Sequence, residues 1–135
     1  MAYPLTILLV DDKVIILHVT KQMLEAYGYH VLIASTPSEA VQVAANYQGD
    51  IHLLLTDVMM PGMNGVELSK QLSLVRKNMH TLFMSAFPDE LLAQAGVDVA
   101  ANNLIQKPFT MEELIRKVRS VSNRDSSKAR RVCAG

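Results

Sequence analysis

The chain has one cysteine, Cys133, so no internal disulfide can form, which is consistent with a reducing compartment. It also lacks net charge, because 13 Lys and Arg balance 13 Asp and Glu. Without a global field, nothing favours nucleic acid or an anionic membrane surface. No apolar run approaches the ~20 residues needed to cross a bilayer. The opening Met1-Ala2-Tyr3-Pro4 has neither the basic segment nor the apolar stretch of a signal peptide. There are no internal repeats. These absences lead us to expect a soluble cytoplasmic domain that engages neither membrane nor nucleic acid.

What is present suffices for one core, since 50% of the 135 residues are hydrophobic. Strand-like and helix-like stretches alternate five times along the chain. Leu5 to Val10 is a continuous apolar run, as in a central parallel strand covered on both faces. Val14 to Tyr27 carries Ile16, Val19, Met23 and Tyr27 at helical spacing, and Gly28 is placed to end it. His30 to Ala34 reads as a second strand. Thr36 caps the next helix, with Pro37 in its first position and Glu39 closing a capping box, and the helix runs to about Tyr47. Ile51 to Thr56, Thr81 to Met84 and Ala101 to Ile105 are further strands. Asn64 with Glu67 caps a third helix that continues to about Arg76, and Pro88 to Ala95 is a short fourth. Thr110-Met111-Glu112-Glu113 opens a fifth helix with Leu114, Val118 and Val121 on one face.

Regular (βα)5 alternation predicts a single α/β domain over residues 1–122, with one doubly wound parallel sheet and helices on both faces. Basic residues crowd the end of the chain, from Arg116 through Arg131, opposed there by Glu112, Glu113 and Asp125. We expect residues 123–135 to form a basic flexible tail or linker, too short for a further output domain.

Several of the apolar runs stop on a chemically useful group. Val10 is followed by Asp11-Asp12, Thr56 by Asp57, Met84 by Ser85, and Ile105-Gln106 by Lys107-Pro108. In a parallel sheet the carboxyl ends of the strands share one edge, which is where open α/β folds place their sites. Three carboxylates, a hydroxyl and an ammonium around one point would form a divalent-metal site beside a phosphoryl-accepting aspartate. The four histidines, His18, His30, His52 and His80, have no ligand spacing and read as structural. Met59, Met60 and Met63 read as packing and partner surface rather than a soft-metal site.

Asp11-Asp12, Asp57 followed by Val58-Met59-Met60-Pro61-Gly62-Met63-Asn64-Gly65, Ser85-Ala86 and Lys107-Pro108-Phe109 together resemble the receiver domain of two-component response regulators. The resemblance covers about residues 5 to 122. It implies a flavodoxin-like three-layer sandwich with a five-stranded parallel sheet in the order 2-1-3-4-5. It also implies that Asp57 accepts a phosphoryl group from a phosphohistidine, assisted by Lys107 and Ser85. Mg2+, or Mn2+, would be held by Asp11, Asp12, Asp57 and the backbone carbonyl of Met59. Pro108 would follow a cis peptide bond that turns Lys107 inward, and Gly62 and Gly65 would permit the tight turn after Asp57. The implied partners are a sensor histidine kinase or phosphotransfer protein and a downstream protein target.

Two rivals and two departures bear on this expectation. A small Mg-dependent phosphohydrolase usually needs a second aspartate two residues after the nucleophile, and Met59 stands there. A flavodoxin-like cofactor binder would need a phosphate-cradling loop where Asp11-Asp12 repel phosphate. The aromatic residue common three before the lysine is Leu104 here, so coupling to the output face should differ. Asn102-Asn103 lack the acidic character of receivers that dimerise through ion pairs, so we expect a monomer or weak dimer. Resemblance slightly favours the C-terminal receiver of a hybrid sensor kinase over a single-domain regulator. Asp12 as a mere helix cap is the plainer alternative to a metal ligand.

Overall fold

The computed structural model describes residues 5–87, 89–97 and 103–122. Within these, apolar strands β1 (Thr6–Val10), β2 (His30–Ala34), β3 (Leu53–Asp57), β4 (His80–Ser85) and β5 (Leu104–Gln106) pair in parallel. Their order is β2-β1-β3-β4-β5, as the resemblance implied. Every side chain from Ile7 to Val10 and from Leu53 to Leu55 is wholly buried. That is why these two runs are continuously apolar rather than alternating.

Alternation instead decides which layer each residue meets. Ile7, Leu9, Leu53 and Leu55 pack against Leu17 and Leu24 of α1 (Val14–Ala26) and Leu114, Val118 and Val121 of α5 (Met111–Ser122). Leu8, Val10 and Leu54 face Ala40 and Ala44 of α2 (Pro37–Asn46) and Leu68 and Leu72 of α3 (Gly65–Ser73). A smaller cluster places Phe83 and Val58 with Leu92 of α4 (Asp89–Gln94) and Val97, with Leu104 packed at its margin. The result is a three-layer sandwich whose carboxyl edge carries the loops after each strand.

Local signals were mostly realised, with instructive exceptions. Thr110 and Glu113 form the reciprocal capping box, and so do Asn64 and Glu67. At α2 the box is only half made. Thr36 Oγ1 accepts the Glu39 N–H, but the Glu39 carboxylate reaches one residue further back, to the Ser35 N–H and hydroxyl. Those bonds hold Glu39 below the ordinary glutamate range, with the Ser35 hydroxyl the largest contributor. The N-cap of α1 is Lys13 rather than Asp12, so the plainer reading of Asp12 as a helix cap does not hold. Pro88, Ala101 and Asn102 lie outside the described residues.

The third helix stops at Ser73, short of the expected Arg76, and Arg76 has another task. Its guanidinium donates to the carbonyls of Ala44 (3.1 and 2.9 Å), Tyr47 (2.6 Å) and Gly49 (2.6 Å). It thereby serves carbonyls at the C-terminal end of α2 and in the loop that follows it. A hydrogen bond to a charged group contributes roughly 1.5–3 kcal/mol net of its exchange with water, and bonds sharing one guanidinium do not add independently. Arg76→Met should therefore lower unfolding stability by about 2–3 kcal/mol, read as a shifted urea midpoint at unchanged slope.

Two of the histidines have structural roles. His52 Nδ1 accepts the Thr6 N–H at 2.9 Å, and the His30 ring stacks on Tyr47. None of the described helices is long and apolar enough to cross a membrane.

Candidate functional site

Strand β1 ends at Val10 and delivers Asp11 and Asp12 to the carboxyl edge, and β3 delivers Asp57 beside them. Oxygen atoms of the three carboxylates lie within 4.8 Å of one another. Asp11 is wholly buried, Asp57 is 6% exposed, and Asp12 faces solvent. The first turn is tied down by Asp11, whose Oδ1 accepts the Lys13 N–H at 2.9 Å. Sequence reasoning did not find this bond, because it uses a main-chain donor.

Lys107 reaches the cluster from the loop after β5. Its N–H donates to the Ser85 carbonyl at 2.8 Å, and the Lys107–Pro108 peptide is cis, as the resemblance implied. The ammonium lies 2.8 Å from Asp11 Oδ2 and 3.2 Å from Asp57 Oδ2. Burial alone would lower the Lys107 pKa, but the Asp11 hydrogen bond and the charges of Asp57 and Asp11 outweigh it, and the ammonium is held above its ordinary range. Burial pushes the Asp57 carboxyl above the ordinary aspartate range; Lys107 opposes this, the Asp11 charge adds to it, and the Met59 N–H, hydrogen-bonded to Asp57, opposes it further.

Ser85 ends β4 next to these groups and is wholly buried. Its Oγ accepts the Phe87 N–H at 2.9 Å, which leaves the hydroxyl proton free to be donated elsewhere. Behind Asp57 the chain turns sharply. Gly62 sits at φ +90°, a backbone conformation that suits glycine. Gly65 is needed for a different reason than a turn conformation. Its N–H donates to the Val58 carbonyl at 2.7 Å, and a Cβ there would collide with the Asp57 carbonyl. The start of α3 is thus pressed directly against the Asp57 backbone, and the Thr56 hydroxyl donates to the same carbonyl. Of the three methionines, Met60 is buried in the core and Met63 packs against it, whereas Met59 is 44% exposed.

The arrangement brings together all five side chains that the sequence singled out. Carboxylates this close repel one another unless positive charge lies among them. Lys107 supplies part of that charge, and the all-oxygen donor set suits a hard divalent ion. A doubly wound sheet with an acid cluster, a lysine and a serine at its carboxyl edge defines the class of phosphoryl-accepting signalling domains.

The chain belongs to the response regulator receiver domain family, whose family model matches residues 7–119. It is 33% identical over 125 residues to the uncharacterized transcriptional regulatory protein YkoG of Bacillus subtilis, covering 90% of this chain and 53% of YkoG. It is 31% identical to the aerobic respiration control protein ArcA of Escherichia coli, covering 87% of this chain and 48% of ArcA. The chain spans about half the length of these curated relatives. Among solved structures, a CheY-like receiver protein from Methanospirillum hungatei superposes with a TM-score of 0.77 at 29% identity, covering 93% of this chain and 99% of that one. The receiver domain of the hybrid histidine kinase CckA superposes with a TM-score of 0.72 at 30% identity, covering 87% and 98%. The chain is therefore a receiver domain of the two-component kind, a phosphoacceptor module in signal transduction.

Proposed function

We propose that Asp57 is the phosphoacceptor and that Lys107 and Ser85 assist the transfer. The observation that carries this reading is a nearly buried carboxylate set among two others and 3.2 Å from a lysine ammonium. An Asp57 oxygen attacks phosphorus as the bond from phosphorus to the donor's imidazole nitrogen breaks, leaving an acyl phosphate. Lys107 neutralises a phosphoryl oxygen, and the Ser85 hydroxyl donates to another. Asp11, Asp12, Asp57 and the Met59 carbonyl would hold Mg2+ or Mn2+, which would add charge neutralisation at the phosphoryl group. Drawing the Ser85 loop toward the new charge displaces the face built from α4, β5 and α5, which is the signal. The phosphohydrolase alternative is disfavoured because Met59 has no group able to transfer a proton.

The donor is a phosphohistidine-bearing helix of a sensor kinase or phosphotransfer protein. Val14, Ile15 and Val19 are 53%, 80% and 45% exposed on α1, an apolar ridge beside the site. A groove of about 420 Å³ runs from this ridge to Lys107 and Phe109, and it would seat such a helix next to the lysine that bonds Asp57. Residues 1–122 act as the receiver in the cytoplasm, and 123–135 as a basic linker. The hybrid kinase CckA and the transcriptional regulator YkoG mark two settings for such a domain, which the natural reading frame distinguishes.

The ion is tested by thermal melting. Millimolar Mg2+ should raise the melting temperature of the wild type, because the folded state binds the ion better than the unfolded chain. At a concentration 100 times its Kd the gain is about 2.7 kcal/mol. Asp12→Ala should remove most of that gain while stabilising the metal-free protein. A wild-type melting curve indifferent to Mg2+ would count against the site.

A further inference from the structure

A wholly buried hydroxyl is costly unless it is bonded, and Thr56 carries one at the end of the apolar run Leu53-Leu54-Leu55. Valine has nearly the same shape and would fill that place without a polar atom. The two branches of the threonine have separate contacts. Its hydroxyl donates to the Asp57 carbonyl at 3.0 Å. Its methyl lies against the start of α3, 3.1 Å from the point that a Cβ on Gly65 would occupy.

The Asp57 carbonyl begins a short run of main chain whose polar groups are tied one after another. The Val58 N–H donates to the Met84 carbonyl at 3.0 Å, and the Val58 carbonyl accepts the Gly65 N–H at 2.7 Å. The Met59 N–H is hydrogen-bonded to the Asp57 carboxylate. Side chains anchor the same run from two clusters: Val58 is wholly buried with Phe83 and Leu92, and Met60 packs with Leu54 and Leu68. The next main-chain group is the Met59 carbonyl, which the ion site takes as an oxygen ligand beside the carboxylates of Asp11, Asp12 and Asp57. A peptide unit is planar, so a bond that fixes the Asp57 carbonyl also fixes the Val58 N–H, and with it the approach of the chain to Met59.

We propose that Thr56 is a positioning residue for the divalent ion: its hydroxyl holds the Asp57 peptide plane so that the Met59 carbonyl is preset as a ligand. This rests on the ion site proposed above. Thr56 contacts neither the ion nor the phosphoryl group. It acts through the main chain, as groups standing behind metal ligands commonly do. A threonine with a purely structural role would change stability and leave the affinity for the ion alone.

The test measures Mg2+ affinity by titration calorimetry on the metal-free protein, with a melting temperature recorded for each variant. Thr56→Val keeps the shape and loses the hydroxyl, and should bind Mg2+ about tenfold more weakly, the lower end of the loss when a group supporting a metal ligand is removed. Thr56→Ser keeps the hydroxyl and loses the methyl, and should bind Mg2+ like the wild type however much lower it melts. Thr56→Ala lacks both groups and should weaken binding as the valine variant does, so the reading does not depend on one variant folding. Arg76→Met, destabilised at the end of α2, should bind Mg2+ like the wild type. Unchanged affinity in a folded hydroxyl-free variant, or a serine variant weakened as much as the valine one, would overturn the role of Thr56 alone. A wild type that binds no Mg2+ would overturn the ion site and the role of Thr56 with it.

Discussion

Asp57→Asn is expected to reduce phosphoryl uptake from acetyl phosphate to background while raising the melting temperature of the metal-free protein. The two effects have one cause. Asp57 is 6% exposed and lies within 4.8 Å of two other carboxylates, a placement that serves chemistry at the expense of stability. Burial pushes its carboxyl above the ordinary range more strongly than Lys107 pulls it down. The folded pKa therefore lies above the unfolded one, and the folded state binds more protons between them. Stability contributed by Asp57 is thus lost as pH rises from the unfolded pKa through the folded pKa. An asparagine does not titrate, so the variant should lack this part of the acid-side slope. Equal labelling of variant and wild type in intact-mass spectra would refute the assignment, and a lower melting temperature would refute the electrostatic account.

Lys107→Met should have the largest effect in the opposite direction. Its ammonium bonds both Asp11 and Asp57, at 2.8 and 3.2 Å. Removing one member of a buried charge set leaves the others uncompensated, at a cost of about 3 kcal/mol. Mg2+ should restore more stability to this variant than to the wild type, because an ion and the lysine neutralise the same carboxylates. Labelling should still slow by roughly 100-fold, the effect of losing one preorganised donor to a developing oxyanion. The lysine's pKa is raised, so its stabilisation is present below the unfolded lysine pKa and lost as pH climbs through the folded value. A variant that melts and labels like the wild type would show that Lys107 is only a surface lysine.

The fold was legible because the central strands are buried on both faces. Runs such as Ile7 to Val10 and Leu53 to Leu55 are short enough and apolar enough to read as core strands, and each ends on a polar residue at one edge. Capping boxes at Asn64 and Thr110 were readable because donor and acceptor lie three residues apart. Interactions that depend on tertiary approach left no such trace. Arg76 pairs with carbonyls 27 to 32 residues away, and no residue type marks a carbonyl as unpaired. Glu39 has two acceptable partners one residue apart, and propensity alone does not choose between them.

The site shows the same division. Its five side chains were identifiable from their strand ends and from resemblance to receivers. What holds them was less visible: the Lys13 N–H on Asp11, and the close approach of Gly65 to the Asp57 carbonyl. Both involve main-chain atoms. Leu104 packs at the margin of the cluster that includes Phe83, Val58 and Leu92, and has no ring or hydroxyl with which to report a change at Ser85.

The central claim is that phosphate is received on Asp57 and nowhere else, with the help of a divalent ion. Borohydride reduction of an acyl phosphate converts the aspartate to homoserine, which fragment mass spectrometry can place at a single residue. After treatment with phosphoramidate and Mg2+, homoserine should appear at position 57 alone, and chelation of the ion before treatment should abolish it. Homoserine at Asp11 or Asp12, or undiminished conversion of Asp57 in excess chelator, would contradict the account.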